Sequence, residues 1–299
     1  MRYKGHVSKT ISASESGSET IPATARDTRD HLILRAGRPF APIPSVFIQT
    51  PTSSGSKPGP LAEFVRNGDK RGLLAFLFLH TIISSGDHGD GWSSTLDLRL
   101  WARALGTVET AEASAASSAA TKILGRLVDR KLVMRRRSGR QRAVTITLLK
   151  GDGTNTPYTR PQGKSVEDRF LRLTTEFWTG DWDQTLSLPA IAMLLVALKE
   201  KPEFTLPTEH MPAWYGWSAD TAERGFNELR ETGLLHVVHE RFPNPLSPTG
   251  LSTRNIYKLQ HPFDRDSITD AKAAHALTRR QVASTGAPSH DEDVTHVSI

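Results

Sequence analysis

A chain of 299 residues with 38 Lys+Arg against 32 Asp+Glu, formally +6, points towards a polyanionic partner, nucleic acid before a membrane surface. With no cysteine, a disulfide framework, a thiolate metal site and a cysteine nucleophile are all excluded. No apolar run approaches the roughly 20 residues of a membrane helix, and "MRYKGHVSKTISASESGSET" lacks the apolar core of a signal peptide, so the expectation is a soluble, cytoplasmic protein with no membrane partner.

Residues 1–57 are rich in Ser, Thr, Gly and Pro and read as a disordered arm that cannot offset its chain entropy by burial. Within it "PIPSVFIQTP" could supply a short docked strand at Val46, Phe47 and Ile48. Two folded domains follow, at 58–150 and 169–263. Between them, residues 151–168 carry Gly, Pro, Asn and Thr without apolar period and read as a linker. Residues 264–299 form a polar, disordered tail with at most a weak helix around Asp270 to Val282.

The two domains share an order of elements. The first runs "RGLLAFLFLHTII", "STLDLRLWARALG", "SSAATKILGRLVDRKLV" and "MRRRSGRQRAVTITLL". The second runs "SLPAIAMLLVALKEK", "TLPTEHMPAWYGWS", "ADTAERGFNELRETGLL" and "HVVHERFPNPLSPTGLSTRNIYKL". A shift of 102 residues matches Ala120 with Ala222, Leu124 with Phe226, Leu127 with Leu229 and Leu132 with Leu234. This is an internal repeat of domain size.

In the second repeat Ser218 is a good N-cap, and Asp220 sits in the positive first turn of a helix. Ala222, Phe226 and Leu229 recur at helical spacing, and Gly233 ends the helix. "LLHVVHER" then alternates as a strand, "FPNPLSPTG" makes a loop and "TRNIYKL" returns. The first repeat has a tighter hairpin: Leu132 to Arg135, a "RRSGR" turn, then Arg142 to Leu149, with Lys131 where the second repeat has its Gly.

At these residues the sequence resembles the winged helix-turn-helix superfamily of bacterial DNA-binding proteins. "SADTAERGFNELRETGLL" looks like the recognition-helix signature of transcription regulators, a capped start followed by "GLL". A single-chain tandem also resembles plasmid and phage replication initiators and some chromosome-segregation proteins. The resemblance implies an α+β, mainly α fold of two tandem winged helix-turn-helix domains, with the third helix of each in a DNA major groove.

The groove-facing residues would then be Ser117, Ser118, Thr121 and Lys122 in the first repeat and Asp220, Thr221, Arg224 and Asn227 in the second. From Lys122 to Arg142 there are nine basic residues (Lys122, Arg126, Arg130, Lys131, Arg135, Arg136, Arg137, Arg140, Arg142) and one acid, Asp129. Ser218 to Arg241 holds three basic residues and five acids. Arg135, Arg136, Arg137, Arg140 and Arg142 sit in a hairpin that would meet phosphate or a minor groove. The second repeat would contribute Arg254 and Lys258 from its hairpin, or serve in self-association as a homodimer. The alternative for any such run is a solvated face.

Nothing in the chain argues for catalysis. It lacks a G-x-x-x-x-G-K-[ST] phosphate loop. In "HVVH", His236 and His239 have two residues between them, placing their rings on opposite faces of a strand. "SGDHGDGW", with Asp87, His88 and Asp90, is too short for an EF-hand loop and reads as a turn. The six tryptophans, Trp92, Trp101, Trp178, Trp182, Trp214 and Trp217, read as core. The expectation is a non-catalytic, sequence-specific binder of double-stranded DNA without cofactor or metal. A nucleoid-associated transcriptional regulator is the simplest case. A plasmid or phage replication initiator, or a winged-helix scaffold in chromosome or plasmid segregation, are the alternatives.

Overall fold

In the computed structural model the described residues are 22–53, 55–86, 91–108, 113–137 and 142–285. Helix makes up 46% and strand 23%, a mixture in which helix leads. No helix among the described residues is long and apolar enough to cross a membrane.

From residue 22 onward the supposed arm is ordered. Helix α1 (Ala25–Ala36) starts with a capping box, in which the Thr24 side chain accepts from the Asp27 amide and the Asp27 carboxylate accepts from the Thr24 amide. It stops at Gly37, which adopts the left-handed conformation. Strand β1 (Phe40–Pro44), the short helix α2 (Ser45–Ile48) and the hairpin β2 (Gln49–Thr52) and β3 (Gly55–Pro58) follow. Val46, Phe47 and Ile48 are buried, but as a turn of helix; the docked strand lies one step earlier. The disordered reading fails there because β1's partner is about 130 residues away in sequence: Ala41 pairs with Leu173 and Ile43 with Leu171.

The first half continues with α3 (Leu61–Arg66), α4 (Lys70–Ile82), β4 (Ser93–Asp97), α5 (Leu98–Ala104), α6 (Ala113–Asp129), β5 (Val133–Arg137) and β6 (Ala143–Leu148). Its three strands form an antiparallel sheet in the order β4–β6–β5. Ala116, Ala120, Ile123, Leu124 and Leu127 give α6 one buried stripe. The helix stops in spite of lacking a Gly: Lys131 itself takes a positive φ of 57°.

After β7 (Phe170–Thr174), α7 (Glu176–Thr179) and α8 (Trp182–Thr185), the second half repeats that order. It has α9 (Leu188–Lys199), a 3-10 turn at Thr208–His210, α10 (Met211–Trp214), α11 (Ala219–Glu231), β8 (Leu235–Pro243) and β9 (Leu251–Leu259). A single bridge, Phe204 to Tyr257, stands where β4 stands in the first half, on the same side of the returning strand. The helix stops correspond bond for bond under the 102-residue shift. Lys131 N–H donates to Val128 O (2.8 Å) and Leu132 N–H to Leu127 O (3.0 Å). Gly233 N–H donates to Arg230 O (3.1 Å) and Leu234 N–H to Leu229 O (2.8 Å). Gly225 has a packing role, since a Cβ there would lie 2.5 Å from Pro189 O on α9.

The halves share one core. A single buried apolar cluster runs from Leu32 to Phe263 with members from both. Phe47, fully buried, stacks on Phe76 of α4 at 4.2 Å, while α2 and α3 both pack on α9. The stretch 151–168, read as a linker, is laid against the first half: Tyr158 is buried edge-on to His80 (5.3 Å) and Trp92 (5.5 Å). Burial, then the charge of Arg38, pushes the His80 imidazole down to about 3, so it is held neutral. The tail read as mostly disordered instead continues as α12 (Arg265–Thr285), started by Asp264, whose side chain accepts from the Ser267 amide at 2.8 Å. Trp101, Trp178 and Trp217 are buried, and Trp92, Trp182 and Trp214 pack against the cluster, in line with the core reading of all six.

A shared core predicts shared unfolding. Phe47→Ala should cost about 3–5 kcal/mol, and urea unfolding should remain a single transition by tryptophan fluorescence and far-UV circular dichroism. Two resolved transitions in the wild-type chain would show that the halves are separable.

Candidate nucleic-acid interface

Helix α6 presents its outer face through Ser118 and Lys122, which are exposed, and Ser117 and Thr121, which are half-buried. Ser118 donates its hydroxyl back to Ser114 O (3.0 Å), an ordinary helix contact. The β5–β6 hairpin lies beside this helix, and Arg135 Nη1 donates to the Thr121 carbonyl at 3.1 Å. That bond ties the arginine strand to the helix beside Lys122; Lys122, Arg135, Arg136, Arg137 and Arg142 are all exposed, with Arg136 on the opposite strand face from Arg135 and Arg137. Arg140 lies outside the described residues, as do Asp87, His88 and Asp90.

Arg126 leaves this surface. Its guanidinium makes a two-point contact with Asp69, Nε to Oδ2 at 2.9 Å and Nη2 to Oδ1 at 2.8 Å. Arg130, whose side chain is 7% exposed, adds a bond to the same carboxylate (2.7 Å) and one to Glu63 (2.9 Å), with its charge 4.3 Å from the Phe64 ring. Asp69 also caps α4 by accepting from the Gly72 amide at 2.9 Å. One buried carboxylate therefore fixes the back of α6 to the start of α4. Arg126 was expected at DNA because it lies in a basic run, but its partner is 57 positions upstream.

The second half offers a different surface. On α11, Arg224 pairs with Asp220 one turn earlier at 3.2 Å, with both side chains mostly exposed, and Asn227 accepts from Arg230 at 3.2 Å. An exposed pair of this kind is weak and does not withhold the arginine from a ligand. Thr221, half-buried, completes the Ser218 cap. Arg254 is bonded across the hairpin to Glu240 (2.5 Å) and stacks on Phe242 (5.4 Å), and Lys258 faces Glu203 (3.4 Å). Each hairpin cation proposed from sequence in this half thus has an acidic neighbour. In the first half, Arg135 and Arg137 make no ion pair among the described residues.

His236 and His239 are exposed on β8, and His239 bonds Asn255 at 2.8 Å. Among the described residues no group of three or more His, Asp or Glu could hold a metal ion. Compared with protein-family models, curated proteins and solved structures, the chain has no significant match.

The Asp69 clamp has a signature in pH. Burial works against its charge, but hydrogen bonds from Arg126, the Gly72 amide and Arg130 outweigh it and hold the carboxyl below the usual carboxylate range. A depressed folded value means the contribution is complete above about pH 4 and is lost as pH falls through the folded value. Asp69→Asn should lose about 3–5 kcal/mol at pH 7, because Arg130 keeps a buried charge with one partner fewer. Its stability should also fall less steeply than wild type below about pH 4. Parallel acid limbs in urea titrations of the two proteins would remove Asp69 from this role.

Proposed function

We propose that each half is a winged helix-turn-helix module and that the protein binds double-stranded DNA, sequence-specifically and without catalysis. The observation that carries the reading is the Arg135–Thr121 bond, which places an arginine-rich hairpin and the outer face of α6 on one surface. Helix, strand, helix, helix and hairpin in that order, with sheet order β4–β6–β5, is the arrangement in which such a helix enters a major groove while the hairpin reaches backbone or minor groove. The same order recurs around α11, where Arg224 and Asn227 are exposed at positions suited to base edges.

The charge division assigns different work to the two heads. The first supplies electrostatic grip through Lys122 and the hairpin arginines. The second, with matched charges on its hairpin, adds selectivity through α11. A transcriptional regulator is the simplest protein of this kind. The shared core supports a second reading, a replication initiator of a plasmid or phage, because it lets one monomer present two unlike heads to a single asymmetric site. Binding sites repeated beside a replication origin, not a promoter, would select the second.

Replacing Arg135, Arg136 and Arg137 with Ala should weaken binding to specific and random duplex alike, since phosphate contacts carry little sequence information. Each lost phosphate contact flattens the plot of log K against log salt by about 0.9, so two of the three reaching phosphate give a change of roughly 1.8. Arg126→Ala is the control: it should lower stability and leave the slope alone. An unchanged slope in the folded triple variant would reduce the hairpin to a solvated face.

Arg224→Ala reports on the other head. If Arg224 contacts a base, the variant loses about 1–3 kcal/mol on a preferred site selected from random duplex, and much less on bulk sequence. Equal losses on both would make it a phosphate contact, and no loss on either would free α11 from DNA.

A further inference from the structure

On the side of the second half where α12 leaves the core, a cavity of about 770 Å³ opens between β7, the end of α9, β9 and the first turns of α12. This is within the range of small-molecule sites, about 300–1,000 Å³. Among its charged lining residues, Arg172, Lys201, Lys258, Arg265 and Lys272 outnumber Glu200, Asp264 and Asp266. Arg172 and Lys272 approach it from β7 and α12, with Lys201 and Arg265 at its edge.

The central cations are left in an unusual state. Arg172 Nε is buried without a hydrogen-bond partner among the described residues. Its guanidinium lies over the rings of Phe170 (5.0 Å) and Phe40 (5.7 Å), and the Lys272 ammonium lies over Phe40 as well, at 5.5 Å. Partial burial, then repulsion from Arg172, pushes the Lys272 ammonium below the usual lysine value. Aromatic faces offset part of that cost, but they cannot accept the Nε–H in the plane of the guanidinium, and an unmet buried donor is expensive.

The nearby acids do not supply the missing acceptor. Glu200 is taken by Lys199 (3.1 Å) and the Tyr215 hydroxyl (3.2 Å). Asp264 is taken by the Ser267 amide and hydroxyl, both at 2.8 Å. Asp266 is exposed on the first turn of α12 and makes no ion pair with either cation among the described residues. Leu198, Phe204 and Phe263 give the wall an apolar part.

We propose that this cavity binds a small organic anion, a carboxylate or phosphate on an apolar body, with the anionic group between Arg172 and Lys272 and the body against Leu198, Phe204 and Phe263. A carboxylate or phosphate placed between them meets the guanidinium and the ammonium together, relieving their repulsion. Lys258 and Leu259 of β9 also line the cavity, so an occupant touches the second half's hairpin and α12 at once. The proposal does not rest on DNA binding.

The test is calorimetric titration of the full chain with phenyl phosphate and with benzoate, beside benzyl alcohol and inorganic phosphate. One saturable site is expected for at least one of the two aromatic anions, and the preferred one identifies the anionic group. Benzyl alcohol should not bind, and inorganic phosphate should bind about tenfold more weakly or worse, lacking the apolar body. Lys272→Ala, on an exposed helix surface, and Arg172→Gln should each weaken binding about tenfold, the loss of a charge-assisted contact. Lys57→Ala, on the β2–β3 hairpin and outside the cavity lining, should not change it.

Circular dichroism checks that each variant is folded. No binding of either aromatic anion by concentrations on the order of 10 mM overturns the proposal, leaving the cations stabilised by the rings alone. So does full affinity in both cavity variants. Inorganic phosphate binding as tightly as phenyl phosphate would overturn the organic ligand class.

Discussion

The antiparallel pairing of β1 with β7 is the contact on which the arrangement of this chain depends. It joins a strand near the N-terminus to the strand that opens the second half, from Phe40 opposite Thr174 to Pro44 opposite Phe170. The chain is thereby drawn so that Ile43, Phe47 and Ile48 enter the cluster that both halves share. Without that pairing, α2 would present Val46, Phe47 and Ile48 to water, and β7 would have an open edge in front of α9. A segment too poor in apolar residues to fold alone is ordered because its few large side chains all meet the same seam.

Each half clamps the N-cap of its first long helix to its third: Asp69 of α4 to Arg126 and Arg130 of α6, and Ser187 of α9 to Glu228 of α11. Helix α6 carries small residues on its buried side over its first turns, Ala116 and Ala120, and gains large ones only from Ile123 onward. Arg126 and Arg130 add a polar anchor at the end that leads into the hairpin, and Asp69 joins it to α4. Helix α11 has a counterpart: Glu228, at the position equivalent to Arg126, accepts from the amide (2.6 Å) and the hydroxyl of Ser187, the N-cap of α9. It approaches α9 closely through Gly225 and buries Phe226 against Tyr257 at 4.4 Å. The two halves hold equivalent helices by polar clamps of opposite sense, arginines on an acid in the first and an acid on a serine in the second, which leaves their outer faces free to differ in charge.

That difference matters for the proposed reading. A surface that grips phosphate needs unmatched positive charge, whereas one that discriminates bases is better served by side chains whose charge is partly compensated and whose geometry is constrained. Arg135 and Arg137 of the first half's hairpin, which make no ion pair among the described residues, and the second half's paired Arg254 and Lys258 divide along that line. The cavity beneath β9 and α12 adds a place where a small molecule could be sensed next to the second head.

Much of the repeated architecture was legible in the sequence because its signals are local. The Ser218 cap, the Ala222–Phe226–Leu229 stripe and the Gly233 stop are each set within a few residues by helix geometry, and the 102-residue correspondence follows from them. The hairpins were legible from alternation and turn residues, and β5 and β6 lie within about two residues of their expected limits. Lys131 in the left-handed conformation was not legible: its intrinsic preference is against it, and the Leu132 amide bond to Leu127 O decides the matter. The order of residues 22–57, the removal of Arg126 from the basic surface and the cavity around Arg172 came only from the tertiary structure. Each rests on a partner tens to more than a hundred residues away, and the composition around a residue carries no information about which distant strand, carboxylate or ring will lie against it.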